Sequence, residues 1–200
     1  MGEIKYTKNA LREQQQKLSQ LKTYLPTLQL KKKLLQFEIN SSKANLDKLF
    51  SSYQEKRGDL DKALSLLSYK DDGNILYYSK MISVEKSYEN IAGVELPKFE
   101  SIRFEEDDYF LFDTPIWFDS MLDKIKKIIE TKQKMNVEEE KKRALQKELK
   151  EVSIRVNLFE KILIPRTESN IKKIKIFLQD QELAAVSQAK IAKLKIGEKI

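Results

Sequence analysis

The chain has 200 residues and a net charge of +7, and 34% of its residues are charged. It contains no Cys and no His, which excludes disulfides, thiolate metal sites and the commonest general base of enzymes. Only 5 Gly and 4 Pro are present, a composition typical of long helices. Residues 1–67 and 121–200 are basic, whereas residues 68–120 carry 5 Lys and Arg against 12 Asp and Glu. The chain therefore has basic ends and an acidic middle.

The first third of the chain carries a heptad repeat. Two series of positions, each with a step of seven, are mostly apolar or aromatic, in eight of nine and five of eight positions. They are Leu11, Leu18, Leu25, Lys32, Ile39, Leu46, Tyr53, Leu60 and Leu67, and Gln14, Leu21, Leu28, Leu35, Ser42, Leu49, Lys56 and Ala63. We therefore predict an N-terminal coiled-coil helix over residues 1–67. If it is helical from about residue 5 to 68, it extends roughly 95 Å at 1.5 Å per residue. Pro26 and Gly58 fall inside it as predicted local bends, since the repeat keeps its register across both.

The middle segment, residues 68–114, lacks the heptad pattern. The stretch "DDG" at residues 71–73 is a turn signal. The following "ISVEKSYENIAGVELPKFE" alternates apolar and polar residues in places and is punctuated by Gly93 and Pro97. This pattern predicts a short β-hairpin, accompanied by short helices.

An aromatic cluster follows the predicted β-hairpin. Asp113 or Thr114 is a predicted N-cap, with Pro115 as the first helical residue. Two interpretations of the cluster stay open: a small core under the β-hairpin, or an exposed docking patch for a partner. The aromatic residues are Tyr109, Phe110, Phe112, Trp117 and Phe118.

The last third, residues 115–200, predicts a second coiled-coil helix. Its first apolar residues alternate at spacings of four and three, and are Leu145, Leu149, Val152, Val156, Phe159 and Leu163. Ile171, Ile174, Leu178, Ala185 and Ala192 continue the pattern. From Leu163 to Ile174 is eleven residues, which indicates a stutter in the repeat. Pro165 lies inside this stutter, where a kink disrupts the seam least, although an interior proline costs roughly 3 kcal/mol.

Two long helices joined by a short middle segment are expected to fold back on each other. The predicted fold class is mainly α: a long antiparallel two-helix coiled coil, with a small middle segment that contains a β-hairpin. The alternative is a parallel homodimer, in which each seam meets its own copy.

The stretch "RVNLFEKILIPRTESNIKKIKIFLQDQE" resembles the signature helix of the D subunit of the V-type and A-type rotary ATPases. The matching residues are Arg155, Val156, Asn157, Leu158, Glu160, Ile164, Pro165, Arg166, Asn170, Ile171 and Ile174. The middle "ENIAGVELPKFE" is similar to the β-hairpin of that family, and "LKKKLLQFEI" to its N-terminal helix. One departure is Thr167 with Glu168, where the family usually has Leu before an acidic residue. This departure is expected to weaken the seam slightly.

The resemblance implies a rotor axle without a cofactor. The paired termini would insert into the catalytic A/B hexamer, while the middle would bind the small F subunit and the adaptor subunit of the membrane ring. It also implies a cytoplasmic location, peripheral to the membrane. The matching residues from Arg155 to Ile174, apart from Leu158, are then interface candidates.

Catalysis within the chain is not expected. The sequence contains neither a G-x-x-x-x-G-K-[ST] phosphate loop nor a G-x-G-x-x-G motif. The acidic runs "FEEDDY" and "VEEEKK" lack the spacing of an EF-hand and predict solvated surface rather than a metal site.

The basic ends leave an alternative function open: binding of nucleic acid or of an anionic membrane surface. Both partners require Lys and Arg gathered on one face. Here the basic residues are interleaved with acidic ones, and the aromatic residues lie in the acidic middle. No stretch approaches the ~18 consecutive apolar residues of a membrane span.

Overall fold

The computed structural model describes residues 5–66, 75, 78–105 and 115–197. Its elements, in chain order, are helix α1 (Lys8–Leu66), strand β1 (Met81–Ile91), strand β2 (Val94–Phe104), helix α2 (Phe118–Leu158), a π-helical turn (Phe159–Leu163) and helix α3 (Ile164–Gly197). The predicted fold class is therefore confirmed: two long helical arms flank a β-hairpin in the sequence. The turn predicted at residues 71–73 and the N-cap predicted at residue 113 or 114 lie outside the described residues.

Helix α1 begins at a capped N-terminus and continues without interruption. The Ala10 amide donates a hydrogen bond of 3.2 Å to Oγ1 of Thr7, which satisfies one of the free N–H groups of the first turn. The helix includes both Pro26 and Gly58. Neither residue ends it, so the heptad register is carried through a single helix.

The predicted seam of α1 is the face that is covered. All described positions of the two heptad series, from Leu11 to Ala63, are buried or half-buried. Leu35 and Ile39 are the deepest, with 0% and 2% of their surface exposed. The series also includes the positions that are not apolar, which are Gln14, Lys32, Ser42 and Lys56. Position in the heptad therefore decides burial even where the side chain is polar.

The chain divides into two compact units. One consists of Met1–Lys32 and Glu151–Ile200, and the other of Lys33–Lys150. We call them the terminal unit and the central unit. Each contains a stretch from both long helical arms, as expected where two helices run antiparallel.

In the terminal unit, ion pairs show that α1 and α3 are antiparallel. Lys8 pairs with Glu182 at 3.4 Å, and Lys22 pairs with Glu168 at 2.8 Å. A step of fourteen residues forward in α1 is thus a step of fourteen residues back in α3. The ion pairs are exposed and contribute little, so burial of the apolar seam is the main stabilising term. The buried side chains are Leu21, Val152, Val156, Thr167 and Ile174.

In the central unit, two polar seam residues of α1 contact α2. The Lys56 ammonium donates a hydrogen bond of 2.8 Å to Oγ1 of Thr131, which is itself buried. The Ser42 hydroxyl lies 3.5 Å from the carbonyl oxygen of Glu138. These contacts satisfy polar groups inside an otherwise apolar seam, where an unpaired group would be costly.

Helix α2 begins at Phe118, three residues after Pro115. The prediction that Pro115 is the first helical residue is therefore wrong, because residues 116 and 117 form a turn. The Phe118 amide donates to the Pro115 carbonyl at 2.9 Å. Asp119 in the first helical turn is favourable at the positive end of the helix dipole.

The β-hairpin is antiparallel, and its turn consists of Ala92 and Gly93. Both residues have positive φ, 54° and 79°, as a two-residue type I′ turn requires. Oδ1 of Asn90 accepts a hydrogen bond of 3.0 Å from the Gly93 amide. Gly93 is the residue that breaks the strand pattern in the sequence, whereas Ala92 is an unusual residue for this conformation.

Polar and cation–π contacts hold the β-hairpin against α2. Lys86 of β1 pairs with Glu140 at 2.6 Å. On β2, the Phe99 ring lies 5.2 Å from the Lys134 ammonium, and the Phe104 ring lies 5.5 Å from that of Lys126. The β-hairpin therefore runs along about four turns of α2, with its tip toward the α2 C-terminus.

Candidate functional site

The signature segment contains a π-helical turn directly before its proline. The turn spans Phe159–Leu163, and the Ile164 amide donates to the Phe159 carbonyl, five residues back. A π turn holds one residue more than the corresponding α-helical turn. Such turns are often found at functional positions in helices.

The extra residue of the π turn corresponds to an extra residue in the sequence repeat. Phe159 and Thr167, both on the covered face, are eight residues apart instead of seven. Leu163 and Ile164 are both half-buried, so two adjacent residues share one seam position. After the turn, Ile171, Ile174 and Leu178 resume the spacing of three and four. The predicted stutter is thus a one-residue insertion, and the π turn accommodates it.

This geometry explains why Pro165 is tolerated. In a regular α-helix its ring would crowd the Lys161 carbonyl, and that carbonyl would lose its donor. Here Lys161 lies within the π turn, where the backbone is already out of the regular α-helical register. A single irregularity of the helix therefore accommodates both the extra residue and the proline.

The signature residues divide between the seam and the surface of the terminal unit. Val156 and Ile174 are buried, with 4% and 0% exposed. Three others are half-buried, namely Ile164, Asn170 and Ile171. The remaining six are exposed: Arg155, Asn157, Leu158, Glu160, Pro165 and Arg166. About half of the predicted interface residues thus hold the helix pair together, and the rest are accessible to a partner.

A polar cleft brings three signature residues together with α1. It has a volume of about 440 Å³, and Arg166, Asn170 and Ile174 line it from α3. From the other side it is lined by Lys5, Glu13, Gln14 and Lys17, together with Ala10. No pattern in the sequence indicates this cleft, because its two sides are about 150 residues apart.

Thr167 and Glu168, which depart from the family pattern, each make a specific contact. Thr167 is buried, and its hydroxyl donates to the Leu163 carbonyl at 2.7 Å. Glu168 forms the ion pair with Lys22. Sequence reasoning missed both contacts, although the eight-residue spacing from Phe159 places Thr167 on the seam.

The comparisons with known proteins agree with these features. Residues 10–194 match the family model of the ATP synthase D subunit. The chain belongs to the ATP synthase D-subunit family. The V-type ATP synthase D subunit of Chlamydia abortus is 44% identical over 201 residues, which cover 99% of this chain and 96% of the relative. The protein of the same name from Chlamydia pneumoniae is 40% identical over 195 residues, with 97% and 93% covered. The family resemblance is therefore confirmed.

The structure describes only two of the five aromatic residues of the cluster, Trp117 and Phe118. Tyr109, Phe110 and Phe112 lie outside the described residues. Phe118 is 4% exposed and packs in a small core of the central unit, with its ring 5.8 Å from that of Tyr78. The half-buried Trp117 packs against the same core. For Phe118, the geometry favours the small core over the docking patch.

One carboxylate in the β-hairpin of this D-subunit family member has a shifted pKa. The Ser101 hydroxyl donates a hydrogen bond of 2.5 Å to Glu85, and the Arg103 guanidinium pairs with the same carboxylate. These two partners, the hydroxyl first, lower the pKa of Glu85 from its ordinary value of 4.5. The three residues form a cross-strand cluster that links β1 and β2.

Metal sites and membrane spans are two features that the described part of the chain lacks. Within the described ranges, no group of three or more acidic side chains is placed to hold a metal ion. None of the helices in those ranges is long and apolar enough to cross a lipid bilayer.

Proposed function

We propose that this chain is the non-catalytic central-stalk D subunit of a V-type rotary ATPase. In this role it transmits torque between the ion-translocating ring of the membrane and the catalytic A/B hexamer. The observation that carries the proposal is the continuous seam of α1, whose described heptad positions are all covered from Leu11 to Ala63. A helix supported along its length by a partner resists bending and twisting, which an axle requires.

The C-terminal part of α3 supports insertion into a surrounding ring. Every residue from Gln179 to Lys195 is exposed. Four large aliphatic side chains in this stretch are more than half exposed, and they are Leu183, Val186, Ile191 and Leu194. Exposed apolar residues at this density are typical of surfaces that a partner covers. We infer that the wall of the hexamer cavity covers them.

The exposed charges of the terminal unit suit a part that must turn. Arg155, Glu160 and Arg166 are accessible on the signature segment. Surface ion pairs are weak and screened by salt, so contacts to the hexamer can form and break without a large barrier. Because a helix pair has no threefold symmetry, each catalytic interface meets a different set of these side chains. Differential contacts of this kind shift each site between conformations.

The proposed partners follow from the family resemblance. They are the A/B hexamer at the termini, and the F subunit with the membrane-ring adaptor subunit at the middle. The same assignment places the chain in the cytoplasm, peripheral to the membrane. Binding of nucleic acid or of an anionic membrane surface is less favoured, because basic residues pair with acidic neighbours one helical turn away. Examples are Lys134 with Glu130 and Arg143 with Glu139.

The proposal is tested by mixing the full chain with purified A/B hexamers of a V-type ATP synthase. Native mass spectrometry is expected to show one copy per hexamer, and ATP turnover is expected to change. Leu183→Asp should weaken the binding by about ten- to a hundredfold, since one buried aliphatic side chain is lost. Gln188→Asp, in the same exposed segment, introduces the same charge and is the matched control. Two or three copies per hexamer, or no binding, would contradict the proposal.

A further inference from the structure

A groove in the central unit lies where three elements meet. Its volume is about 400 Å³, which lies within the range of protein binding sites. Helix α1 contributes Asn45, Lys48 and Leu49; strand β2 contributes Pro97, Lys98 and Phe99; helix α2 contributes Lys134, Val137, Glu138 and Lys141. None of these residues belongs to the signature segment.

The groove runs along the edge of β2. Pro97, Lys98 and Phe99 are consecutive, and successive side chains of a strand point to opposite faces. A groove that all three residues line must therefore pass beside the strand rather than over one face. Within the described residues, β2 pairs only with β1. Its other edge presents backbone groups to a further strand, although Pro97 has no N–H to donate and contributes only its carbonyl.

The charge of the groove selects an anionic occupant. Lys134 is already engaged, because its ammonium pairs with Glu130 at 2.6 Å and faces the Phe99 ring. In the described part of the chain, no carboxylate lies within ion-pair distance of the other three ammonium groups, those of Lys48, Lys98 and Lys141. Three unpaired ammonium groups therefore surround a concave surface that also carries the Glu138 carboxylate, so the net charge of the groove is positive.

The inner surface of the groove is mainly apolar. Leu49, Phe99 and the buried Val137 supply the apolar part. Oε1 of Glu138 is enclosed and has no hydrogen-bond donor among the described residues. A buried oxygen of this kind is costly unless a donor reaches it. This atom is closed off by the surrounding protein, so an occupant of the groove does not reach it, and Glu138 contributes only its negative charge to the groove wall.

We propose that this groove binds an extended acidic segment of a partner protein. The segment adds to the edge of β2, directs its carboxylates to Lys48, Lys98 and Lys141, and places aliphatic side chains on Leu49 and Val137. A nucleic acid fits less well, because Phe99, the one aromatic residue of the groove, already faces Lys134 and is not available for base stacking. The proposal concerns the chain alone and does not depend on the rotor assignment.

The test uses a fluorescein-labelled peptide, Asp-Val-Glu-Ile-Asp-Val-Glu, titrated with the full chain at low salt and followed by fluorescence anisotropy. Saturable binding that weakens with added salt is expected. A peptide with Lys in place of each acidic residue should not bind. Lys98→Glu and Lys141→Glu should each lower the affinity for the acidic peptide by about tenfold. Lys124→Glu changes an exposed residue of α2 outside the groove, and this control should leave the affinity unchanged.

Glu138→Met removes the one carboxylate that lines the groove. Because a carboxylate in the groove wall repels the acidic peptide, this variant should bind it more tightly, and weaker binding would contradict the proposal. A photoreactive residue at the central position of the peptide should crosslink to groove residues. Crosslinks elsewhere, no binding at millimolar peptide, or full displacement by an equal concentration of inorganic phosphate or of a DNA hexanucleotide would overturn the proposal.

Discussion

Deletion of Pro165 tests whether the π turn exists because the sequence holds one residue too many. The deletion brings Phe159 and Thr167 to a separation of seven, and the spacings of four and three then continue without a break. The π turn is no longer needed, and the chain can form one regular helix from α2 into α3. We therefore expect the deletion variant to be at least as stable as the natural chain.

The expected magnitude follows from the interactions that change. An interior proline costs about 3 kcal/mol relative to Ala, although the π turn already relieves part of this cost. Restoring regular hydrogen bonds contributes about 1 kcal/mol each. The buried residues of the terminal unit, including Ile174 at 0% exposure, keep their place. Deletion of Pro165 should thus stabilise the chain by about 1 to 3 kcal/mol.

Two other variants make the interpretation specific. Pro165→Ala removes the ring but keeps the extra residue, so the π turn should persist and the gain should be at most about 1 kcal/mol. Deletion of the exposed Lys132 is the control, because it removes one residue where the helix has none to spare. It rotates the following residues by about 100° and takes Val137 and Leu145, both nearly fully buried, off the seam. Each such residue is worth about 1.5 to 3 kcal/mol.

The measurement is urea unfolding of the full chain, followed by circular dichroism at 222 nm. The order of stability should be deletion of Pro165, then Pro165→Ala, then the natural chain, with deletion of Lys132 far below. If deletion of Pro165 destabilises the chain as much as deletion of Lys132, the one-residue insertion is the wrong explanation of the π turn.

Four further predictions concern single residues. Gly58→Ala should stabilise α1 by about 0.5 to 1 kcal/mol in thermal unfolding, since an added Cβ meets no atom within 4 Å. Ala92→Gly should stabilise the β-hairpin, because glycine adopts the positive φ of this position without strain. A loss of stability in either variant would contradict the backbone argument made for it. Because the pKa of Glu85 is lowered in the folded chain, its stabilising effect is present above 4.5 and is lost as the pH falls through the lowered value. The protection factors of the β-hairpin amides, which correct for the slower intrinsic exchange in acid, should therefore fall as the pH is lowered, and Glu85→Gln should abolish that dependence. Leu35→Ala should lower the free energy of unfolding in urea by about 2 to 5 kcal/mol. The neighbouring Leu34 is 48% exposed, so Leu34→Ala should lower it by less than about 1 kcal/mol. Similar losses in both variants would contradict the assignment of the seam.

The sequence by itself predicted the long helices, their covered faces and the β-hairpin, because each depends on a short-range period. The heptad series placed even Ser42 and Lys56 on the seam, where both contact α2. The spacing around Leu163 also revealed a discontinuity in the last third of the chain. These features follow from side-chain direction in a helix or strand, which neighbouring residues determine.

Only the tertiary structure decided how the helix accommodates the break in the repeat near Leu163, and which contacts the polar side chains make. The heptad spacing alone cannot distinguish a π turn from a kink, because either one accommodates the extra residue. Which of them forms depends on which side of α3 packs against the other helix. Likewise, the family pattern predicts a weakened seam at Thr167, yet this residue is buried with its hydroxyl bonded. The groove lined by Lys48, Lys98 and Lys141 combines residues that are far apart in the chain. Contacts of this kind are set by the packing of three separate elements, and no local pattern records that packing.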